Sequence, residues 1–226
     1  MNLDLARKAA AELIGTAFLV CAVVGSGIAA TQLSPNDVGL ELLENSLITG
    51  AALVALILTL QPVSAAFNPV VSLVEAALGL IDWATAGVLA VAQIIGGVVG
   101  VMVANLMFKF HAITLSTHHR SGSNLWLGEV VATFGLILVV FGAIRAGRTQ
   151  TIAFAVGGYI TAAYWFTSST SFANPAVTIA RMFSDTFAGI APASVPMFIL
   201  MQIIGAGLGY LAVRFLYPNL TQEAHA

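Results

Sequence analysis

The stretch Asn174-Pro175-Ala176-Val177-Thr178-Ile179 decides how this chain folds, because a close copy, Asn68-Pro69-Val70-Val71-Ser72-Leu73, stands in its other half. Each copy reads as a helix start. Asn is a favoured N-cap whose side-chain oxygen accepts from the first free backbone N–H groups, and Pro is favoured at the first helical position. Each start follows a run of small or polar residues, Ser64-Ala65-Ala66-Phe67 and Thr167-Ser168-Ser169-Thr170-Ser171-Phe172-Ala173, too broken to cross a membrane. Short interrupted segments at matching places in two halves point to the working site of a membrane transport protein.

Outward from these motifs the chain is apolar. Its 226 residues are 59% hydrophobic and 8% charged, with a mean hydropathy of +0.96. A soluble domain carries about a quarter charged residues, so this one belongs in a bilayer. A net charge of −2 leaves no basic footprint for nucleic acid. The single cysteine, Cys21, lies in an apolar run and reads as a small core hydrophobe. Arg7-Lys8 ahead of an apolar run mimics a signal peptide, but Glu12 interrupts the run and the stretch beyond is long enough to span.

Charges punctuate the spans. Nothing charged lies between Glu12 and Asp37, Glu44 and Glu75, Asp82 and Lys109, Glu129 and Arg145, Arg148 and Arg181, or Asp185 and Arg214. Each interval holds a helix of the roughly 20 residues that cross the hydrocarbon core. Spans are expected near 9–30, 45–63, 84–108, 126–145, 151–167 and 195–216, with half-helices from Asn68 to about Gly79 and from Asn174 to about Phe183.

The repeat extends further: Gln93-Ile94-Ile95-Gly96-Gly97-Val98-Val99-Gly100 matches Gln202-Ile203-Ile204-Gly205-Ala206-Gly207-Leu208-Gly209, and Glu12 corresponds to Glu129. One domain, 1–226, is thus expected from repeats 1–110 and 125–226 joined by a polar loop. Three spans per half make the second enter the membrane upside down, an inverted repeat. Gly96/Gly100 and Gly205/Gly209 are spaced to let helix backbones approach, a packing feature. With the N-terminus inside, Arg7, Lys8, Arg145, Arg148 and Arg214 are cytoplasmic, against Lys109, Arg120 and Arg181 outside. His111, His118 and His119 in the connector lack Cys or carboxylate partners at ligand spacing, so a solvated loop is expected and no metal or other cofactor.

The paired Asn-Pro motifs, six apolar stretches and Ala11-Glu12-Leu13-Ile14-Gly15-Thr16 together resemble the aquaporin (major intrinsic protein) family over nearly the whole chain. The resemblance implies an all-α membrane fold with six transmembrane helices and two re-entrant half-helices. It also implies a homotetramer in a bacterial inner membrane with both termini cytoplasmic. Half-helices meeting head to head would set two positive dipole ends at the bilayer centre, the aquaporin-type barrier to protons and cations. Asn68 and Asn174 would cap their helices through oxygen and keep their amide N–H donors free for a passing hydroxylated solute. Glu12 and Glu129, intramembrane carboxylates, could relay protons; neither span has a Lys, Arg or His beside it, and the resemblance implies that each holds a half-helix by accepting from its backbone.

The family's narrowest point uses four residues, including an arginine directly after the second Asn-Pro-Ala. Here that position is Val177, and counting back from Asn174 without a gap gives Ser171 and Ala162. The fourth is Thr49 if Thr49-Gly50 matches an aromatic-Gly pair, with Ile48 the alternative register. Such a filter is small and uncharged, so it should be wide. Arg181, one turn past Val177, supplies charge at the outer vestibule or snorkels to headgroups. The stretch from Phe172 to Arg181, continuing through Ser184 to Ile190, resembles the arsenic-resistance-associated branch of bacterial aquaglyceroporins. That implies a passive channel for glycerol-like polyols, neutral arsenic hydroxides, methylated arsenicals and water. A water-selective channel is the alternative, and an inverted-repeat secondary transporter fits less well because only Glu12 and Glu129 could couple ions. An intramembrane enzyme fits worst: no zinc pair or Ser/His dyad lies within the spans.

Overall fold

The computed structural model describes residues 3–218, and over them the secondary structure is helical, without strands. The C-terminus, expected on the cytoplasmic side, lies outside the described residues. Eight α-helices follow in order: α1 Leu3–Leu33, α2 Val38–Leu60, α3 Pro69–Ala77, α4 Trp83–Met107, α5 Ser123–Arg145, α6 Ile152–Phe166, α7 Pro175–Arg181 and α8 Val195–Leu216. Short 3-10 turns, Thr149–Thr151 and Pro192–Ser194, lead into α6 and α8. Each long helix overlaps its expected span; α1 and α2 begin several residues earlier, capped in the case of α2 by Asp37, which accepts from the Leu40 N–H. Among the described residues, α1, α2, α4, α5 and α8 are long and apolar enough to cross a membrane. α6 is shorter, at 15 residues.

The packing follows the internal repeat. α1 lies along α4 and α5 along α8, while α2 and α6 pack on each other and on α1 and α5 respectively. The glycines explain the first two pairs. A Cβ on Gly96 would meet the Leu13 backbone, its Cα only 3.0 Å away, and one on Gly205 would lie 2.6 Å from the Val130 carbonyl oxygen. Only a residue without a Cβ lets the backbones close to that distance. The two short helices, α3 and α7, fill the space between the pairs, each touching α4, α8 and the other. Long helices present apolar side chains such as Phe18, Val91, Leu127, Phe154 and Leu211 outward, the surface a bilayer covers.

Candidate pore and its walls

The site is built from the two half-helix starts. Asn68 (φ −154, ψ 117) and Asn174 (φ −157, ψ 113) are extended caps, followed in each case by Pro at the first helical position. The Asn68 side-chain oxygen accepts from the Val70 N–H at 3.2 Å. That of Asn174 accepts from Ala176 at 2.9 Å and Val177 at 3.2 Å. The amide groups then cross over: Asn68 Nδ2 donates to the Ala173 carbonyl at 2.8 Å, and Asn174 Nδ2 to the Phe67 carbonyl at 2.7 Å. Thus the helices meet tip to tip, and one N–H of each amide is already engaged. The expectation that both donors of each Asn are free is corrected to one apiece, because each amide also ties the opposite loop.

The crossing depends on the residue before each Asn. Phe67 (φ 49) and Ala173 (φ 47) both adopt the left-handed conformation, uncommon for residues with a Cβ. The backbone N–H and C=O of each are both held. Glu12, fully buried, accepts from the Ala66 N–H at 2.8 Å, the Phe67 N–H at 2.6 Å and the Ser64 hydroxyl at 2.5 Å. Glu129, equally buried, accepts from the Phe172 and Ala173 N–H groups at 2.9 Å each. A buried carboxylate is tolerated when its oxygens take several such bonds. Gln93 and Gln202 complete the arrangement. Gln93 Nε2 donates to Glu12 and Ser72, and Gln202 Nε2 to Glu129 and Thr178. Their place in the repeated Gln-Ile-Ile-Gly motif was a signal for this, although the motif reads as packing alone.

A cavity of about 420 Å³ runs past both tips. One end, beside the start of α1, is lined by Lys8, Gln61, Glu75 and Thr149; the other end, covered by the connector, is lined by the buried residues Thr49, Tyr164, Ser171, Phe172 and Arg181. Between them Asn68 and Asn174 share the wall with an apolar stripe that includes Leu19, Val23, Leu53, Ile57, Val156 and Ile160. Non-helical backbone at membrane depth is stable only where protein buries it or where it lines such a cavity.

The four filter positions divide. Thr49, Ser171 and Val177 line the cavity; Val70 and Ala176 are buried behind it. Ile48 is 46% exposed on the outer surface, which leaves Thr49 as the inward residue of that pair. Ala162 is a correction: it is exposed and does not line the cavity. At about 100° per residue, Ile160 and Tyr164 share the inward face of α6, and Ala162 points away. Tyr164 lines the cavity there, its hydroxyl 3.2 Å from the Thr49 hydroxyl. The ungapped count fails because it runs back through the irregular 167–173 segment, where Thr170 and Ser171 also have positive φ.

Arg181 is 2% exposed, so it does not snorkel. Its guanidinium sits 3.5 Å from the Phe172 ring centroid, and its Nε donates to the Ala188 carbonyl. The connector folds over this end of the cavity: Thr114 and Ser116 N–H groups donate to the Phe183 and Met182 carbonyls at 3.1 and 2.9 Å. Arg120 donates to Gly189 and Phe187 carbonyls and lies 5.3 Å from the same Phe172 ring. Asp185 accepts from the Thr117 backbone N–H at 2.8 Å and hydroxyl at 3.0 Å, which holds its carboxyl below the usual carboxylate range. His111, His118 and His119 are exposed on this segment.

Comparison with known proteins agrees with this geometry. Residues 1–151 match the model of the family described as major intrinsic protein. The chain is 45% identical over 214 residues to aquaglyceroporin AqpS of Rhizobium meliloti (strain 1021), covering 94% of this chain and 91% of that one. It is 28% identical over 217 residues to the probable aquaporin TIP2-2 of Oryza sativa subsp. japonica, covering 92% and 86%. The X-ray structure of the aquaglyceroporin from Plasmodium falciparum superposes with a TM-score of 0.70 at 17% identity, over 97% of this chain and 98% of that one, a likeness of fold. With two re-entrant half-helices joined at their Asn-Pro tips inside a multi-pass helical membrane fold, this chain belongs to the major intrinsic protein family.

Proposed function

We propose that the protein is a passive channel for water and small uncharged solutes such as glycerol, and that neutral arsenic hydroxides, arsenite and methylated arsenicals among them, pass by the same route. The observation that carries the reading is the lumen wall at Val177. An aliphatic side chain stands directly after Asn174-Pro175-Ala176 and lines the same cavity as Thr49 and Tyr164. At the level of Val177 a wall of Val and hydroxyl groups leaves width for a polyol and offers it hydrogen bonds, with the charge of Arg181 one turn further along the half-helix, while the apolar stripe keeps binding weak enough for exit. One remaining N–H on each of Asn68 and Asn174 replaces part of the solute's hydration at the centre.

In this reading Thr49, Tyr164, Ser171 and Val177 set the width, Arg181 acts at the connector-side vestibule, and Glu12 and Glu129 support the half-helices. The chain works without a cofactor or catalytic residue, as one domain of two inverted repeats, 1–110 and 125–226. It sits in a bacterial inner membrane as a homotetramer, with the α1 start on the cytoplasmic side. Stopped-flow swelling of proteoliposomes in water, glycerol, urea and arsenite tests the reading. Glycerol and arsenite flux well above empty vesicles, non-saturating and indifferent to proton or sodium gradients, is expected. Water flux alone would make it water-selective, and gradient-driven flux would make it a transporter.

A further inference from the structure

The two half-helices carry opposite charges at equivalent positions. Counting seven residues beyond each Asn reaches Glu75 in the first repeat and Arg181 in the second. Val71 and Val177, three residues beyond each Asn, line the cavity, and so do Glu75 and Arg181 one turn further on. The internal symmetry thus puts a carboxylate in the wall on one side of the Asn pair and a guanidinium in the wall on the other.

Their settings differ. Arg181 is packed against Phe172 and tied to the Ala188 carbonyl. Glu75 is half-buried, and among the described residues no donor hydrogen-bonds to its carboxyl. From the neighbouring α1, Glu12 is the charged group that acts on it electrostatically. Lys8 lines the same end of the cavity, with its ammonium 2.9 Å from Asp4. Glu12 is spent on backbone and Gln93 donors, so Glu75 is the carboxylate that faces the lumen.

A lumen with donors at its centre and a guanidinium beyond repels cations and attracts anions. In a wide pore that attraction would admit small anions unless another charge opposes it. We propose that Glu75 is the anion barrier of this channel: a lumen carboxylate in series with Arg181, so that each repeat rejects one sign of charge and only neutral solutes meet neither barrier. The proposal rests on the channel reading and adds the residue that sets its selectivity against anions.

The test uses full-length protein in proteoliposomes in mildly alkaline buffer, where formate is fully ionised. Potassium formate influx with valinomycin is compared with glycerol influx in the same preparation. For wild type, formate influx stays near that of empty vesicles while glycerol influx rises well above it, so the formate-to-glycerol ratio is low. Glu75→Gln, nearly isosteric and uncharged, raises the ratio about tenfold, the effect of removing one unit charge a few ångströms from the permeant's path in a water-filled lumen of near-aqueous dielectric. Glu75→Ser, a second neutral variant, does the same, and Glu75→Asp restores exclusion. A ratio unchanged in whichever neutral variant still conducts glycerol overturns the proposal, as does a rise in Glu75→Asp equal to that in Glu75→Gln. Failure of wild type to pass glycerol would instead overturn the channel reading itself.

Discussion

At the scale of single residues, the proposed channel rests on two side chains. Val177, 5% exposed, takes the place where the resemblance implies an arginine. Val177→Arg would thrust a guanidinium toward Thr49 and Tyr164, narrowing and charging the lumen. Glycerol permeability in proteoliposomes should fall by about tenfold or more, equivalent to roughly 1.4 kcal/mol on the barrier, with water flux affected far less. Equal glycerol flux in mutant and wild type would remove Val177 from the narrow point. Glu129 is the second. Its two oxygens accept from Phe172, Ala173 and Gln202, and Glu129→Gln would turn an amide NH₂ toward at least one of those donors. Leaving one buried N–H unsatisfied costs about 1–3 kcal/mol. A lower melting temperature in detergent and reduced glycerol flux are expected; a variant that melts and conducts like wild type would deprive Glu129 of its supporting role.

At the scale of elements, the α1–α4 and α5–α8 pairs are the frame against which the half-helices are held. Their closeness depends on particular glycines. Gly96→Leu would place side-chain atoms inside the Leu13 backbone, forcing α1 and α4 apart, whereas nothing lies within 4 Å of a Cβ on Gly207. Overpacking of this kind costs about 1–3 kcal/mol or more. Gly96→Leu should therefore lower thermal stability markedly and Gly207→Ala should leave it near wild type. Similar melting of the two would mean that the frame has slack that the backbone distances do not suggest. The half-helix boundaries were legible in the chain, each Asn-Pro pair capping a helix where the sequence places one, and Asp82 caps α4 close to its expected start, whereas Asp37 starts α2 well ahead of the expected span. The inward register of α6 was not legible. Its apolar residues face lipid and lumen alike, so composition carries no phase, and Ala162 rather than Tyr164 was the natural count.

At the scale of the whole molecule, the proposed homotetramer makes its own prediction. The outer surface is apolar on every long helix, as lipid requires, and so does not by itself announce a subunit contact. Cross-linking in mild detergent should run to a tetramer, and a ladder that stops at monomer would contradict it. The doubled Asn-Pro motif, the charge-free intervals and the repeated Glu and Gln-Ile-Ile-Gly segments determined that two inverted halves enclose two re-entrant helices, because capping, hydropathy and backbone approach act over a few neighbouring residues. Tertiary structure alone decided which side chains share the lumen: Tyr164 beside Thr49, Arg181 against Phe172, Glu75 across the Asn tips from Arg181. Those meetings join residues far apart in the chain through helix rotation and loop path, and a one-residue change of phase, invisible to composition, exchanges lumen for lipid.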